Sequence, residues 1–279
     1  MFQLFSAANA QDEAANIPAN EEAQGKVVLA SELAWEQLNP ARGDQSPQAA
    51  NVWGNRTESR KTGFLVKFVD GFESPPHIHN VSYRGVVISG LVHNDDPESA
   101  EMWMPPGSYW TQPAGEVHIT SATGSSIVAY IEIENGPYRV MSVDESFDNG
   151  ERPVNIDAAN LVWLNEENTN WIAGNDSSVS AGAELAFLWG SPQDDQLNGT
   201  FVKLPAGFSG SITTESPEFR AVVISGAPQF RTRESDAAVA LEPGSYVSST
   251  GSAQHQLSCV DGGCTIYVRT IGRFTVNPN

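Results

Sequence analysis

Short runs of apolar and β-branched residues alternate along this chain with clusters of glycine, proline, asparagine and aspartate. Runs of this length predict β-strands, because helices need longer segments with apolar residues at every third or fourth position. In the first half of the chain, strands are expected at 63–69, 84–89, 100–104, 109–112 and 126–132. The apolar run before them, at 27–30, is expected to begin the first folded unit. The pattern therefore predicts an all-β protein.

An internal repeat is the main feature of the organisation. Arg84 to Gly90 reads RGVVISG, and 136 residues later Arg220 to Gly226 reads RAVVISG. Further along, His118 and His255 are separated by 137 residues, so one residue has been inserted between the two regions. Two copies of one β unit account for the length of the chain. Because the arginine recurs in both copies, an ion pair or a packing role is expected for it.

The repeat sets the expected domain boundaries at 27–150 and 151–279. Residues 1–26 show no hydrophobic periodicity after Phe5 and are expected to form a flexible tail. The start of this segment ends in small residues, Ala8 to Ala10, as before a signal-peptidase site. A leader remnant is therefore the alternative to a plain tail.

The charge balance excludes two classes of partner. The net charge of −19 repels phosphate backbones and anionic membrane surfaces, and no basic patch interrupts it. No run of about 18 apolar residues is present that would span a bilayer. We therefore expect neither nucleic acid nor a membrane as partner.

The two cysteines, Cys259 and Cys264, lie on either side of an Asp-Gly pair that is typical of a β-hairpin turn. Such a hairpin would place them opposite each other, so a disulfide and two reduced, buried thiols are both open. Together with the leader-like start, this favours a periplasmic or secreted protein, with a cytoplasmic location as the alternative.

Three of the five histidines lie close together in sequence as His77, His79 and His118. In a strand, residues two apart point to one face, so the first two imidazoles can converge. The third follows a Pro-Ala-Gly turn that can return the chain beside them. Three nitrogen ligands with open positions suit a catalytic divalent metal ion, although an isolated His-x-His pair is more often a packing or surface feature. A further histidine, His93, follows Gly90 and is expected to be exposed.

The second copy lacks this cluster. At the repeat spacing, His77 corresponds to Thr213 and His79 to Glu215, whereas His255 remains opposite His118. One histidine beside threonine and glutamate is a poor site for a transition metal. The second unit is therefore expected to be free of metal and to act as a structural partner.

Two segments, Gly71 to Gly90 and Gly107 to His118, resemble the two cupin motifs in the spacing of their glycines and histidines. The family pattern has a glutamate ligand where this chain has Tyr83, and an asparagine where it has Ala122. Residues 27–279 resemble a bacterial two-cupin family whose members have no assigned reaction. The resemblance implies two tandem cupin (RmlC-like jelly-roll) β-barrels, a metal ion in the first, and a homodimer. It implies no particular substrate.

The function expected from these features is that of a metal-dependent, dioxygenase-like enzyme acting on a small organic molecule. His77, His79 and His118 would hold Fe(II), which is favoured, or Zn, Mn or Ni. Tyr83 would orient a ligand or simply pack, and Glu116 would take a proton, support the metal site from outside, or face solvent. The alternative is a non-catalytic module that binds or senses a small molecule or metal. A nucleophile elbow, a P-loop and a dinucleotide fingerprint are all absent from the sequence.

Overall fold

The structure, a computed structural model, describes residues 25–174, 182–231 and 238–279. Nearly all of the tail predicted for residues 1–26 lies outside the described residues. Within them, regular structure consists of strands and a few short 3-10 helices, so the all-β prediction is confirmed. No helix of the described part is long and apolar enough to cross a membrane.

The strands of the first half and the start of the second, in chain order, are β1 (Lys26–Val28), β2 (Glu36–Gln37), β3 (Gln48–Trp53), β4 (Thr62–Phe68), β5 (Phe72–Glu73), β6 (Ile78–His79), β7 (Tyr83–Asp95), β8 (Tyr109–Gln112), β9 (Ile119–Ile133), β10 (Val140–Met141) and β11 (Val154–Ile156). Those of the second half are β12 (Glu184–Gly190), β13 (Leu197–Leu204), β14 (Phe208–Thr214), β15 (Phe219–Ser225), β16 (Gln229–Arg231), β17 (Val239–Ala240), β18 (Tyr246–Ser249), β19 (Ala253–Cys259), β20 (Cys264–Ile271) and β21 (Phe274–Pro278). The 3-10 helices are Ala30–Glu32, Pro40–Gln45, Val143–Glu145 and Ala158–Asn160.

The strands form two barrels of antiparallel sheets. In the first barrel the main sheet has the order β11-β8-β7-β9-β4-β3-β2, with β5 paired to β9, and β6 pairs with β10. In the second barrel one sheet has the order β1-β18-β15-β20-β13-β12 and the other β17-β16-β19-β14-β21. The two cysteines form a disulfide, which was one of the two alternatives for them. Cys259 at the end of β19 is bonded to Cys264 at the start of β20, with Cα atoms 6.0 Å apart.

The two barrels exchange strands at their edges. The first strand, β1, pairs with β18 of the second barrel, although the run at 27–30 was expected to begin the first unit. Conversely, β11 pairs with β8 of the first barrel. Each exchanged strand covers a sheet edge that would otherwise present unpaired backbone groups. The boundary near residue 150 stays a prediction, with these two strands crossing it.

Three apolar clusters hold the molecule together: one inside each barrel and one between them. The cluster between the barrels contains Tyr130 and Tyr267, which correspond in the repeat and lie 5.7 Å apart by ring centroids. The two repeated arginines also lie at this interface. Arg84 bonds Glu134 and covers the Trp189 ring at 3.7 Å, and Arg220 bonds Glu218. Ion pairing and packing are thus both roles of these arginines, as expected.

Two expectations for the region after Gly90 are wrong. Residues 100–104 form no strand, and only Met104 pairs, through an isolated bridge with Val92. Instead β7 continues to Asp95, because Gly90, with φ of 75°, permits the register shift that carries the strand around a bend. As a result His93 is 2% exposed and faces inward, with Nδ1 accepting a hydrogen bond from the Met102 amide at 3.3 Å.

Candidate metal centre

The three clustered histidines meet inside the first barrel. His77 and His118 are directly opposite in an antiparallel bridge, joined by two backbone hydrogen bonds of 3.0 Å each. His79 ends β6 and points to the same face as His77, as the strand periodicity predicts. Each of the three rings offers a ligand nitrogen, and these atoms lie within 4.8 Å of one another. This group could hold a metal ion.

Backbone carbonyls fix how each ring is turned. His77 Nδ1 lies 2.9 Å from the Pro75 carbonyl oxygen, His79 Nδ1 lies 2.9 Å from that of Arg139, and His118 Nδ1 lies 3.1 Å from that of Glu116. A carbonyl oxygen only accepts, so Nδ1 carries the proton in each ring. Every Nε2 is therefore unprotonated and carries a lone pair that can bind a metal ion. This is the arrangement in which metal-binding histidines are oriented by an outer partner.

Burial keeps the three imidazoles neutral. It lowers the pKa of His77, and it lowers that of His79 well below its usual range, with His118 and His77 adding to the effect. For His118, burial and the neighbouring His77 lower the pKa to about 3. Neutral imidazoles are the form that binds metal ions, so at neutral pH no proton has to leave these rings before a metal ion binds.

The fit to a metal ion is supported by one orphaned atom. His118 Nε2 is buried and has no hydrogen-bond partner among the described residues. An unpaired buried acceptor costs free energy, about 1–3 kcal/mol, unless something binds it. A cation bound by the three Nε2 lone pairs would supply the missing partner.

A cavity of about 800 Å³ opens onto this group. Its walls include His77, His79 and the apolar rings of Phe72 and Trp110. Arg42 also lines it, with its guanidinium 5.2 Å from the Phe72 ring centroid. The volume and mixed lining are those of a site for a small organic molecule.

Tyr83, at the position of the family's glutamate, is buried in the wall of this cavity. Its hydroxyl donates to Asn94 Oδ1 at 2.9 Å, and Asn94 Nδ2 donates to Gln112 Oε1 at 3.0 Å. Gln112 Nε2 in turn donates to the Glu116 carbonyl at 3.2 Å, the same oxygen that orients His118. A chain of hydrogen bonds between uncharged groups thus connects Tyr83 to the metal-ligand group.

Glu116 contacts His118 through its backbone carbonyl. Its carboxyl group is influenced by charges outside the cavity: burial raises its pKa, Arg152 opposes this, and Asp148 adds to it. The cavity lining contains Tyr83 but not Glu116. A catalytic role for either side chain stays a prediction, and for Glu116 the observed contact is one of orientation.

Tyr138 is a site residue that the sequence reasoning missed. Its hydroxyl lies 3.0 Å from His79 Nε2, and its ring stacks on His79 with centroids 4.3 Å apart. Asn94 and Thr120 were missed as well, and Thr120 Oγ1 donates to Asn94 Oδ1 at 2.9 Å. For Tyr83, Asn94 and Thr120 the repeat contained a signal, because each corresponds to phenylalanine or leucine in the second half: Phe219, Phe230 and Leu257. At the spacing of 137 that relates His118 to His255, Tyr138 corresponds to Thr275, so the repeat contained no such signal for Tyr138.

The corresponding place in the second barrel is filled with apolar side chains. His255 is stacked between Phe219 and Phe230, with ring centroids 4.8 and 5.4 Å away. Its Nε2 lies 2.9 Å from the Ser249 hydroxyl, so it is not orphaned. The cavity here has only about 20 Å³. Among the described residues, the one group of histidines, cysteines or acids able to hold a metal is that of the first barrel.

The two jelly-roll barrels and the histidine group define this chain as a cupin-fold protein, which confirms the resemblance seen in the sequence. Solved structures with the same fold include a candidate dioxygenase from Nostoc punctiforme, with 14% identity, a TM-score of 0.64, and coverage of 90% of this chain and 83% of that one. A variant of salicylate 1,2-dioxygenase from Pseudoaminobacter salicylatoxidans in complex with gentisate has 13% identity, a TM-score of 0.57, and coverage of 94% and 88%. A variant of oxalate decarboxylase from Bacillus subtilis has 10% identity, a TM-score of 0.53, and coverage of 90% and 78%.

The chain belongs to the family described as a domain of unknown function, DUF4437, which matches residues 26–277. No curated protein is similar to it in sequence. At identities this low, the solved structures establish the fold and leave the reaction open.

Proposed function

We propose that the first barrel binds one divalent metal ion through the Nε2 atoms of His77, His79 and His118 and acts on a small organic molecule in the adjoining cavity. The observation that carries this is the buried, unpartnered Nε2 of His118 beside two further imidazoles turned the same way. Fe(II) is favoured, with Zn, Mn or Ni as alternatives, because imidazole nitrogen suits all of these ions. The similarity in fold to a dioxygenase supports oxygenation as the reaction class.

The ligand set determines which molecules would bind. Three neutral imidazoles leave the full charge of a divalent ion uncompensated, so an anionic, chelating molecule is favoured. Arg42 at the cavity wall adds positive charge on the same side. When bound, iron would supply redox chemistry with dioxygen, whereas zinc would polarise a carbonyl or activate water.

The residues of the chain would perform the remaining tasks. The Pro75, Arg139 and Glu116 carbonyls hold the three rings in one tautomer. Trp110 and Phe72 form an apolar wall that excludes water from an organic substrate, and Tyr83 holds Asn94 at the cavity surface. Because Tyr83 is buried and its pKa is raised by that burial, it acts as a neutral hydrogen-bond donor.

The metal content of untagged protein tests this proposal, by mass spectrometry as purified and after reconstitution with Fe(II), Mn, Ni or Zn. We expect one equivalent in the wild type, lost in His77→Ala and kept in His255→Ala. Metal that survives His77→Ala, or no metal under any condition, would overturn the proposed site. Oxygen uptake with anionic candidate substrates then separates an enzyme from a binding module, which would show saturable binding without turnover.

A further inference from the structure

We propose that the phenol oxygen of Tyr138 is a fourth protein ligand of the metal ion in the first barrel. This rests on the proposed function, since it presupposes the three-histidine site. The family pattern has a glutamate ligand at the position of Tyr83, but the Tyr83 hydroxyl is bonded to Asn94. The hydroxyl of Tyr138, which lines the same cavity, lies instead beside His79.

The distance between Tyr138 and His79 is that of two neighbouring ligands. Tyr138 Oη lies 3.0 Å from His79 Nε2, the unprotonated ring nitrogen. In an octahedral ion with bonds of about 2.1 Å, adjacent ligand atoms are separated by about 3.0 Å. The phenol oxygen thus already lies beside His79 at the spacing that coordination requires.

Metal binding would end the hydrogen bond of this hydroxyl to His79. Among the described residues, the Tyr138 hydroxyl makes one hydrogen bond, which it donates to His79 Nε2. An ion that takes the Nε2 lone pair ends this bond and leaves the hydroxyl without an acceptor among the described residues, which is unfavourable. Coordination of the oxygen replaces the lost bond, and on Fe(III) the phenol proton leaves to solvent.

Packing holds the phenol in this position on several sides. The ring stacks on His79 at an interplanar angle of 22° and meets the Phe64 ring edge-on, with centroids 5.2 Å apart. The Tyr138 amide donates to the Arg56 carbonyl at 2.7 Å, which fixes the backbone. A ligand held this way loses little conformational entropy when it binds the ion.

The second barrel provides an internal comparison. Tyr83 and Tyr138 have ring centroids 5.8 Å apart at 74°. In the second barrel Phe219, which corresponds to Tyr83, forms a similar pair with Phe274, with centroids 6.4 Å apart at 78°. A ring pair of this kind is therefore present in both barrels, whereas its hydroxyl groups are present only in the barrel that contains the three histidines. Packing alone would be served by phenylalanine, as in the second barrel, so the hydroxyl of Tyr138 points to a separate role.

The test uses the full chain loaded anaerobically with Fe(II) and then oxidised with ferricyanide, which accepts one electron per iron. A phenolate bound to Fe(III) gives a charge-transfer absorption band in the visible range, which three histidines alone do not give. We expect this band in the wild type and in the matched variant Tyr83→Phe, and its loss in Tyr138→Phe that still binds one equivalent of iron. Resonance Raman excitation within the wild-type band would show phenolate vibrations without relying on any variant.

The outcomes separate the two proposals. Stoichiometric iron without a visible band, or a band that persists in Tyr138→Phe, would overturn the assignment of Tyr138 and leave the three-histidine site standing. A band that is lost in Tyr83→Phe but kept in Tyr138→Phe would show that Tyr83 is the ligand, and would likewise overturn the assignment of Tyr138. Wild-type protein that binds no iron would overturn the proposed metal site and this ligand together.

Discussion

Arg269 of the second barrel donates two hydrogen bonds to the Glu134 carboxylate of the first, at 2.8 and 2.9 Å. Its Nε donates to Glu218 at 3.0 Å, and Glu132 lies 3.6 Å away. The guanidinium, 2% exposed, is therefore surrounded by carboxylates from both halves of the chain. The interface between the barrels depends on this charge cluster as well as on apolar contact.

Replacing Arg269 by methionine is expected to destabilise the protein strongly. Methionine is an apolar side chain of similar length, so the substitution leaves the carboxylates of Glu132, itself 2% exposed, and Glu218 without their shared partner. Removing one member of a buried ion pair costs about 3–5 kcal/mol. Urea denaturation would measure the loss. Arg152→Met, which removes an exposed pair with Asp148, is the control and should show no measurable change.

The lowered pKa of the Glu134 carboxyl group predicts that the stability of the protein depends on pH in the acid range. Burial acts to raise its pKa, but the hydrogen bonds and charge of Arg269, assisted by Arg84, lower it from 4.5 to about 2. The unfolded chain therefore takes up this proton first, so the stabilisation is present above about pH 4.5 and is lost as the pH falls toward about 2.

The variant Glu134→Gln tests this by removing the titrating group. We expect the unfolding midpoint of the wild type to fall more steeply than that of the variant across this acid range, measured by urea denaturation. Because Glu134 is 38% exposed, screening by solvent reduces the difference. Parallel curves for the two proteins would show that Glu134 has an ordinary pKa.

Gly63 is expected to tolerate no side chain. A Cβ atom at this position would meet the Trp53 indole and would lie 2.5 Å from the Tyr130 hydroxyl, inside the cluster between the barrels. Overpacking of this kind costs about 1–3 kcal/mol. Thermal unfolding of Gly63→Ala would measure it, with Gly174→Ala, where nothing lies within 4 Å, as the control. An unchanged melting temperature in Gly63→Ala would show that the indole moves aside freely.

The fold and the histidine group were predictable from the sequence for a physical reason. Strand periodicity places His77 and His79 on one face, and the repeat fixes the equivalence of the two halves. Those features are local or depend on simple spacing. The strand predicted at 109–112 has the observed bounds, for example, because turn residues border it on both sides.

The missed features depend on contacts between distant segments. The inward turn of His93 follows from the bend of β7 at Gly90, and the position of Tyr138 depends on its contact with His79, 59 residues earlier. Exchange of the edge strands is likewise a tertiary effect that no local pattern encodes. Comparison of the two halves for positions that change from polar to phenylalanine would have indicated Asn94, which corresponds to Phe230, but not Tyr138, which corresponds to Thr275.

Gln112 connects the cavity wall to the metal-ligand group, since its amide bonds both Asn94 and the carbonyl that orients His118. Gln112→Met keeps the volume but ends both bonds, so that carbonyl and the His118 ring are held less firmly. Loss of an outer partner of a metal ligand weakens metal affinity about 10- to 100-fold. Competition with a chelator would measure this in metal-loaded protein, with Gln254→Met in the second barrel, where the amide bonds Ser211, as the control. Equal affinities in the wild type and Gln112→Met would show that the carbonyl orients His118 without help from this chain of hydrogen bonds.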